Sequence, residues 1–370
     1  MRVAIVNDVA LATEVLRRVV CSDPGHVIAW TAADGRQALD CCRRDTPDVI
    51  LMDLVMPVMN GAEATREIMQ ACPCAILVVT ATVSGNFSLV CQALGYGAFD
   101  AVCTPSLGAG TLAQAGAQLL AKLSQVDRIN RRLGRGDSSS GLAAVRPQPS
   151  DTAVTGLPAA ANPPSVQAPA SSQTLPGSQA AMPLVLIGSS TGGPPALQSI
   201  LSRWRPDFPA AVVVAQHIGA DFAASLAQWL QQTCRLSVGL AQPGQALRAG
   251  AVSIAGTNDH LVVSPNATLH YTSHPIDYPY RPSVDALFQS AVSWPRPGIA
   301  VLLTGLGRDG AQGMLQLKQA GWYTIAQDAA TSVVYGMPQA AAQLDAARRI
   351  LPIGEIGDHV ELQLKRLVAG

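Results

Sequence analysis

Three short stretches carry side chains that could work together as a nucleophile, a base and an acid. "IGSSTGG" at 187–193 follows the apolar run "PLVL" and leads into "PPALQSIL". Its core fits G-x-S-x-G as Gly188, Ser190 and Gly192, a tight turn that exposes the middle serine, which selects Ser190 over Ser189. "VVVAQH" ends on His217, and "VLLTGLGRDG" places Asp309 after a glycine-rich turn. A serine hydroxyl barely ionises near neutral pH. An imidazole can take its proton and return it to a leaving group, and a carboxylate can fix the imidazole tautomer. The N–H groups of Thr191 and Gly192 stand where an oxyanion would need donors.

Other readings remain open at this level. A glycine-rich turn before a helix can cradle a phosphate, although this one lacks the lysine of a P-loop and does not fit G-x-G-x-x-G. It can also be structural. His260 is a rival base, His270 and His274 lie near a hairpin, and Asp259 and Asp328 are rival acids. Asp309 could merely cap its helix.

A second group lies near the N-terminus. Asp8 follows the run "RVAIVN", and Asp53 follows "VILM". Ends of parallel strands meet at one sheet edge, so both carboxylates belong at one crevice. Such a pair suits Mg²⁺, which takes a few carboxylates and keeps waters and phosphate oxygens. An aspartate beside that ion can accept a phosphoryl group, and Thr80, at the end of "AILVVT", could hydrogen-bond it. Helix capping is the plain alternative.

The elements that must position these residues alternate along the chain. Residues 1–124 run strand and helix in turn, from "RVAIVND" through "HVIAWTAA", "PDVILMD", "AILVVTA" and "FDAVCT". This predicts a parallel (βα)5 sheet of flavodoxin type, doubly wound. A last helical pattern reads through Leu133. From Gly134 to Ala181 the chain is Pro, Ala, Ser and Gln without periodicity, so residues 125–181 are assigned to a flexible linker. Residues 182–370 resume the alternation with "PLVLIG", "AAVVVAQ", "GAVSIAG", "GIAVLLTG" and "YTIAQD". They predict a second doubly wound, mostly parallel α/β domain, with a hairpin around "PNA".

Composition narrows the function. The chain has 370 residues, 48% hydrophobic and 14% charged, which suits well-buried α/β cores. Lys plus Arg balances Asp plus Glu at 25 each, which argues against a nucleic-acid binder. The eight cysteines show no zinc-like spacing and read as small buried apolar residues of a reducing compartment. No signal-type segment or run of membrane-spanning length occurs, so a cytoplasmic location without membrane insertion is expected.

The first domain resembles response-regulator receivers through "LMDLVMPVMNG" and "VVTAT". The second resembles the CheB receptor methylesterases through "IGSSTGG", "AQHI", "YRPSVDALF", "VLLTGLGRDGAQGM" and "YGMP". Within that group, "IVNDVALATEVLRR" and "MPVMNGAEATREIM" look most like the WspF-type members. The resemblance implies a catalytic triad of Ser190, His217 and Asp309 and phosphorylation at Asp53. It implies Mg²⁺ at Asp8 and Asp53 for the receiver, and no cofactor for the esterase. The implied reaction is hydrolysis of glutamate γ-methyl esters on a chemoreceptor-type protein, together with glutamine deamidation. A cognate histidine kinase would be the phosphodonor, and the unphosphorylated receiver would shield the esterase. A non-catalytic interaction module of a chemosensory pathway is the alternative. Departures from the family are Asn7 in place of a second acid, Thr104 in place of a lysine, Ala101 at an aromatic switch position, and Leu306 and Arg308 in the loop before Asp309.

Overall fold

The computed structural model describes residues 1–81, 83–105, 112–133 and 182–369. The Pro/Ala/Ser-rich stretch expected to be a flexible linker lies outside the described residues from 134 onwards.

The first sheet contains β1 (Arg2–Val6), β2 (Val27–Ala32), β3 (Val49–Met52), β4 (Ala75–Thr80) and β5 (Asp100–Cys103), in the order β2-β1-β3-β4-β5. Every pairing in it is parallel. Helices α1 (Ala10–Cys21), α2 (Gly35–Arg44), α3 (Gly61–Ala71), α4 (Val83–Gly95) and α5 (Leu112–Leu133) are interleaved. This is the flavodoxin-type order that the alternation predicts. The runs "VAIV" and "VILM" are buried throughout, because helices cover both faces of the sheet. Asp34 and Asn60 cap α2 and α3, their side chains accepting from the N–H groups of Gln37 and Glu63.

The second sheet has seven parallel strands: β6 (Leu184–Ser189), β7 (Ala211–Gln216), β8 (Ser237–Leu240), β9 (Ala251–Ile254), β12 (Ile299–Leu302), β13 (Tyr323–Gln327) and β14 (Arg349–Leu351). Their order is β14-β13-β12-β6-β7-β9-β8. The expected hairpin is β10 (His260–Val263) with β11 (Leu269–Thr272), antiparallel around Pro265–Ala267. Helices α6 (Gly193–Leu201), α7 (Ala220–Thr233), α8 (Val284–Ser290), α9 (Ala311–Gln319), α10 (Met337–Gln343) and α11 (Ile353–Ala369) complete the element set.

The strand order places β6 between β7 and β12, at the centre of the sheet. Ser190 follows β6, His217 follows β7, and Asp309 lies on the loop after β12, so the three stretches meet at one carboxyl edge. No disulfide occurs among the eight cysteines. Four are buried, but Cys21 is exposed, so the expectation that all are buried fillers holds only in part. Among the described residues no helix is long and apolar enough to cross a membrane.

Candidate active site

The turn between β6 and α6 is built around glycine. Gly192 adopts φ 78°, the left-handed region that L side chains avoid, and a Cβ there would lie 2.6 Å from Val333. Pro194 and Pro195 occupy the first turn of α6, where missing N–H groups cost nothing. The two serines then separate. Ser189 is fully buried and its hydroxyl donates to Gln216 Oε1 at 2.6 Å. Ser190 keeps an 8% exposed surface, and its Oγ has no hydrogen-bond partner among the described residues. Its backbone is fixed on both sides: its N–H donates to Thr304 O, while its carbonyl accepts from Gly193 N–H and from Gln216 Nε2 at 2.9 Å.

His217 Nε2 lies 2.7 Å from Asp309 Oδ2. A carboxylate only accepts, so Nε2 carries the proton and Nδ1 holds the lone pair. Nδ1 is buried and without a hydrogen-bond partner. Ser190 and His217 line one cavity of about 30 Å³, with space on the scale of a water molecule. The imidazole is held flat against Tyr280, with ring centroids 4.2 Å apart and planes at 7°. An imidazole so oriented can receive a proton at Nδ1 and stabilise the resulting cation through Asp309.

Asp309 is one of the best-partnered carboxylates in the chain. Ser283 Oγ donates to its Oδ1 at 2.8 Å, Val284 N–H to its Oδ2 at 2.7 Å, and Asp285 N–H to its Oδ1 at 3.1 Å. Burial alone would push this carboxyl up. The hydrogen bond and charge of His217, with the backbone donors, outweigh it and hold Asp309 below the ordinary carboxylate range. Its neighbour Asp285 goes the other way. Burial, and then the Asp309 charge, push it up to about 7, although Gly313 N–H donates to its Oδ1 at 2.6 Å.

The rivals have other duties. His260 is buried; its Nδ1 accepts from Ser283 N–H at 3.1 Å and its Nε2 donates to Pro275 O at 3.0 Å. It fixes the segment that clamps Asp309. Asp259 pairs loosely with Arg281, Asp328 accepts from Thr331, and His270 bonds Thr268.

The sequence model of the family CheB methylesterase matches residues 185–360, and that of the response regulator receiver domain matches residues 3–114. A protein-glutamate methylesterase/protein-glutamine glutaminase of Burkholderia thailandensis is 48% identical over 361 residues, covering 97% of this chain and 96% of its own length. The chain belongs to the CheB methylesterase family. A similarly named protein of Bordetella avium is 47% identical over 362 residues, covering 98% of this chain and 96% of its own. The crystal structure of the Thermotoga maritima CheB methylesterase catalytic domain is 35% identical. It covers 49% of this chain and 98% of its own, with a TM-score of 0.47.

In this CheB-family chain the receiver end of the first sheet gathers Asn7, Asp8, Asp53 and Thr80. Asn7 Nδ2 donates to Asp53 Oδ2 at 3.1 Å, and Leu54 N–H donates to Asp53 Oδ1 at 2.7 Å. Burial, and to a lesser degree the Asp8 charge, raise the Asp53 carboxyl, partly offset by the N–H groups of Leu54 and Val55. Thr80 is buried at the end of β4 and its carbonyl accepts from Thr104 N–H. Thr104 brings no cation to this crevice. The donor chemistry fits Mg²⁺, since hard oxygen ligands, two of them carboxylates, stand at this sheet edge, close enough for the Asp8 charge to act on Asp53. Among the described residues no cluster of three or more His, Cys, Asp or Glu side chains forms a metal site.

The receiver lies against the Ser190 and His217 cavity. Thr191 Oγ1 donates to Phe99 O at 3.2 Å, and Gln118 Nε2 donates to Asp221 Oδ2 at 3.1 Å. Phe87 of α4 meets Trp229 of α7 edge to face, with centroids 6.5 Å apart. Phe99, Asp100 and Lys122 line the same small cavity as Ser190 and His217, with Lys122 paired to Asp100.

Spacing and motif reasoning missed several residues that shape this site. Gln216 was legible only as part of "AQH". Ser283 and Asp285 sit in "YRPSVDALF", where a serine before an apolar helix signals a cap, and Ser283 does cap α8 by accepting from Ala286 N–H. Nothing in the spacing announces that the same serine also donates to Asp309.

Proposed function

We propose that Ser190, His217 and Asp309 are the catalytic triad of a phosphorylation-regulated protein-glutamate methylesterase. The observation that carries this reading is the 2.7 Å pairing of His217 Nε2 with a clamped Asp309, which leaves a buried, unpartnered Nδ1 in the cavity of Ser190. In this reading Ser190 Oγ attacks the γ-carbonyl carbon of a glutamate methyl ester while its proton passes to Nδ1. The N–H groups of Thr191 and Gly192 receive the oxyanion, each such donor being worth about 10²–10³ in rate. The intermediate collapses, Nδ1 returns the proton to the methoxide oxygen, and methanol leaves. A water, deprotonated at Nδ1, then attacks the acyl-serine and releases the glutamate. A glutamine side chain enters the same cycle with ammonia as the leaving group.

The substrate is proposed to be a methylated chemoreceptor-type protein in the cytoplasm, and the phosphodonor a cognate histidine kinase. Asp53 is the proposed phosphoryl acceptor, with Asp8 and Asp53 holding Mg²⁺ and Thr80 contacting the phosphoryl group. The ion, when bound, neutralises charge that builds up on the transferring phosphoryl oxygens. The receiver's position over Ser190 supports masking of the esterase in the unphosphorylated state. The deciding experiment measures methanol release from a methylated receptor by the full chain and by Ser190→Ala. The variant should lose about 10⁴–10⁶ in turnover with its fold intact. Retained turnover would return the non-catalytic interaction module to first place.

A further inference from the structure

A larger cavity, of about 370 Å³, opens beside the small one and shares Tyr280 and Gln125 with it, the latter from receiver helix α5, so that part of its wall would leave when the receiver moves off. Its walls include Tyr278, Asp285, Gln289, Arg308, Asp309 and Gln312. The triad acid is therefore part of one wall, and the cavity has room for side chains of a polypeptide whose ester has reached Ser190.

The charges around this cavity are unequal in what they have left to offer. Asp309 is committed to His217, Ser283 and two backbone N–H groups. Asp285 accepts from Gly313. Tyr278 donates to Gln289. Arg281, near the smaller cavity, donates to Ile276 O and faces Asp259. Arg308 alone among these charged residues has an exposed side chain whose guanidinium meets no hydrogen-bond, ion-pair or ring partner among the described residues.

Its position is nonetheless fixed. Gly307 and Gly310 flank it at φ 86° and 87°, and a Cβ on Gly307 would lie 2.9 Å from the Tyr280 hydroxyl. Glycine backbone and close packing set the loop, so the arginine side chain is not needed to hold it. The residue after Arg308 is the triad aspartate. A free guanidinium is thus rooted one residue from Asp309, on a residue that borders the larger cavity.

A methyl ester is neutral and offers no charge to steer by. Other side chains on the same segment can, and the reaction itself makes carboxylates on its substrate. A planar guanidinium pairs with a carboxylate through two parallel hydrogen bonds, which fixes geometry as well as adding energy. We infer that Arg308 and the cavity beside Asp309 form a specificity subsite for a carboxylate side chain on the substrate segment, about one or two helical turns from the ester. It follows that an already hydrolysed glutamate within reach promotes hydrolysis of its neighbour. This inference rests on the esterase reading above.

The test uses the full chain and synthetic helical peptides that carry one glutamate γ-methyl ester. In one set a glutamate stands three, four or seven residues from the ester on either side; in the matched set glutamine stands there. The expected result is a preference for at least one acidic peptide of about three- to tenfold in kcat/KM, expressed in KM and weakened by salt. Arg308→Gln should erase that preference, and Arg308→Glu should transfer it to a peptide with lysine at the same place. Masking by the receiver cancels, because each comparison is a ratio within one protein. As a second readout, the same peptides are titrated onto Ser190→Ala and onto Ser190→Ala with Arg308→Gln, where the affinity ratio should follow the same pattern. Equal kcat/KM for acidic and neutral peptides, or a preference that survives Arg308→Gln, overturns the subsite and leaves the esterase reading standing. No methanol from any peptide, with no binding to Ser190→Ala, takes both down.

Discussion

His217 presents Nε2 to Asp309 and leaves Nδ1 for the cavity of Ser190, the reverse of the chymotrypsin arrangement, in which Nδ1 faces the acid. The ring is pinned by the Tyr280 stack on one face and by the Asp309 pairing at its edge. A triad needs one nitrogen protonated toward the acid and the other free toward the hydroxyl, and either assignment of the two nitrogens satisfies this. Asp309→Asn keeps the shape but replaces an acceptor with a group that can present its amide N–H to Nε2. The ring would then hold its proton at Nδ1, where it cannot act as base. The expected loss is about 10³–10⁴ in kcat for methanol release, with a loss of about 1–3 kcal/mol of stability, because the amide that meets Nε2 also turns a donor toward the buried Val284 N–H. Steady-state kinetics beside a melting curve checks it; a loss below tenfold would remove Asp309 from the triad.

Ser283 supports that aspartate from the opposite side. Its hydroxyl donates to Asp309 Oδ1 while its Oγ caps α8. Ser283→Ala removes both, which should cost about 1–2 kcal/mol of stability and reduce kcat by about tenfold. Ser283→Thr retains the hydroxyl and should recover most of the activity. The rescue, read as kcat at matched folded fraction, separates a positioning role from simple loss of the cap.

Asp285 should leave a signature in stability against pH. Its carboxyl is pushed up to about 7 in the folded protein, whereas an unfolded aspartate titrates near 4. Between those values the folded state holds a proton that the unfolded state has lost. The contribution is therefore full below pH 4, declines as pH rises to about 7, and is gone above it, on the order of a few kcal/mol in all. Asp285→Asn stays neutral throughout and can still accept from Gly313 N–H. It should melt close to wild type at pH 5 and above it at pH 8. Parallel pH dependence in the two proteins would show that Asp285 ionises normally.

Much of this architecture was legible because it is periodic. Buried runs such as "VAIV" and "AVVVAQ" read as parallel strands, and glycines with prolines marked the turn at 192–195. Strands β8 and β14 escaped. The first alternates exposed and half-buried residues at a sheet edge and contains Gly239, and the second has three residues, only one of them even half-buried. Ser190, His217 and Asp309 were legible as candidates because each follows a strand-like run. The clamp on Asp309 was not, since Ser283 and Asp285 reach it across 24–26 residues from a helix start that follows the hairpin. Which nitrogen of His217 is left free is set by its pairing with Asp309, and no spacing in the sequence encodes it.

The contact between Phe87 and Trp229 tests the masking proposal directly. Phe87 is 4% exposed and joins the receiver helix α4 to α7 of the esterase part. Phe87→Ala removes an aromatic anchor from that interface, where truncating a hot-spot aromatic costs about 2 kcal/mol or more. If the receiver occludes Ser190, the basal rate of methanol release should rise about tenfold or more in the unphosphorylated full chain. Acetyl phosphate with Mg²⁺ should then add less than it adds to wild type. An unchanged basal rate, with interdomain contact shown to be loosened by hydrogen exchange in α4 and α7, would mean that the receiver covers the triad without limiting access to it.

The receiver crevice supplies the last test. Thr104 stands where the family resemblance predicts a lysine, and the groups acting on Asp53 are its burial, two backbone N–H groups and the Asp8 carboxylate. A phosphoryl group arriving there brings more negative charge to a site that already holds two carboxylates. Thr104→Lys adds a cation at the end of β5, beside Thr80, to which the backbone of residue 104 is already bonded. The favourable interaction of an ammonium with a phosphoryl group should speed labelling by acetyl phosphate in Mg²⁺ by about tenfold, and slow loss of the label to a similar degree. Intact-mass measurement of the phosphorylated fraction over time reads both, and Asp53→Asn should abolish the label in either background. Identical labelling of Thr104→Lys and wild type would mean that other groups at this crevice already supply the missing charge.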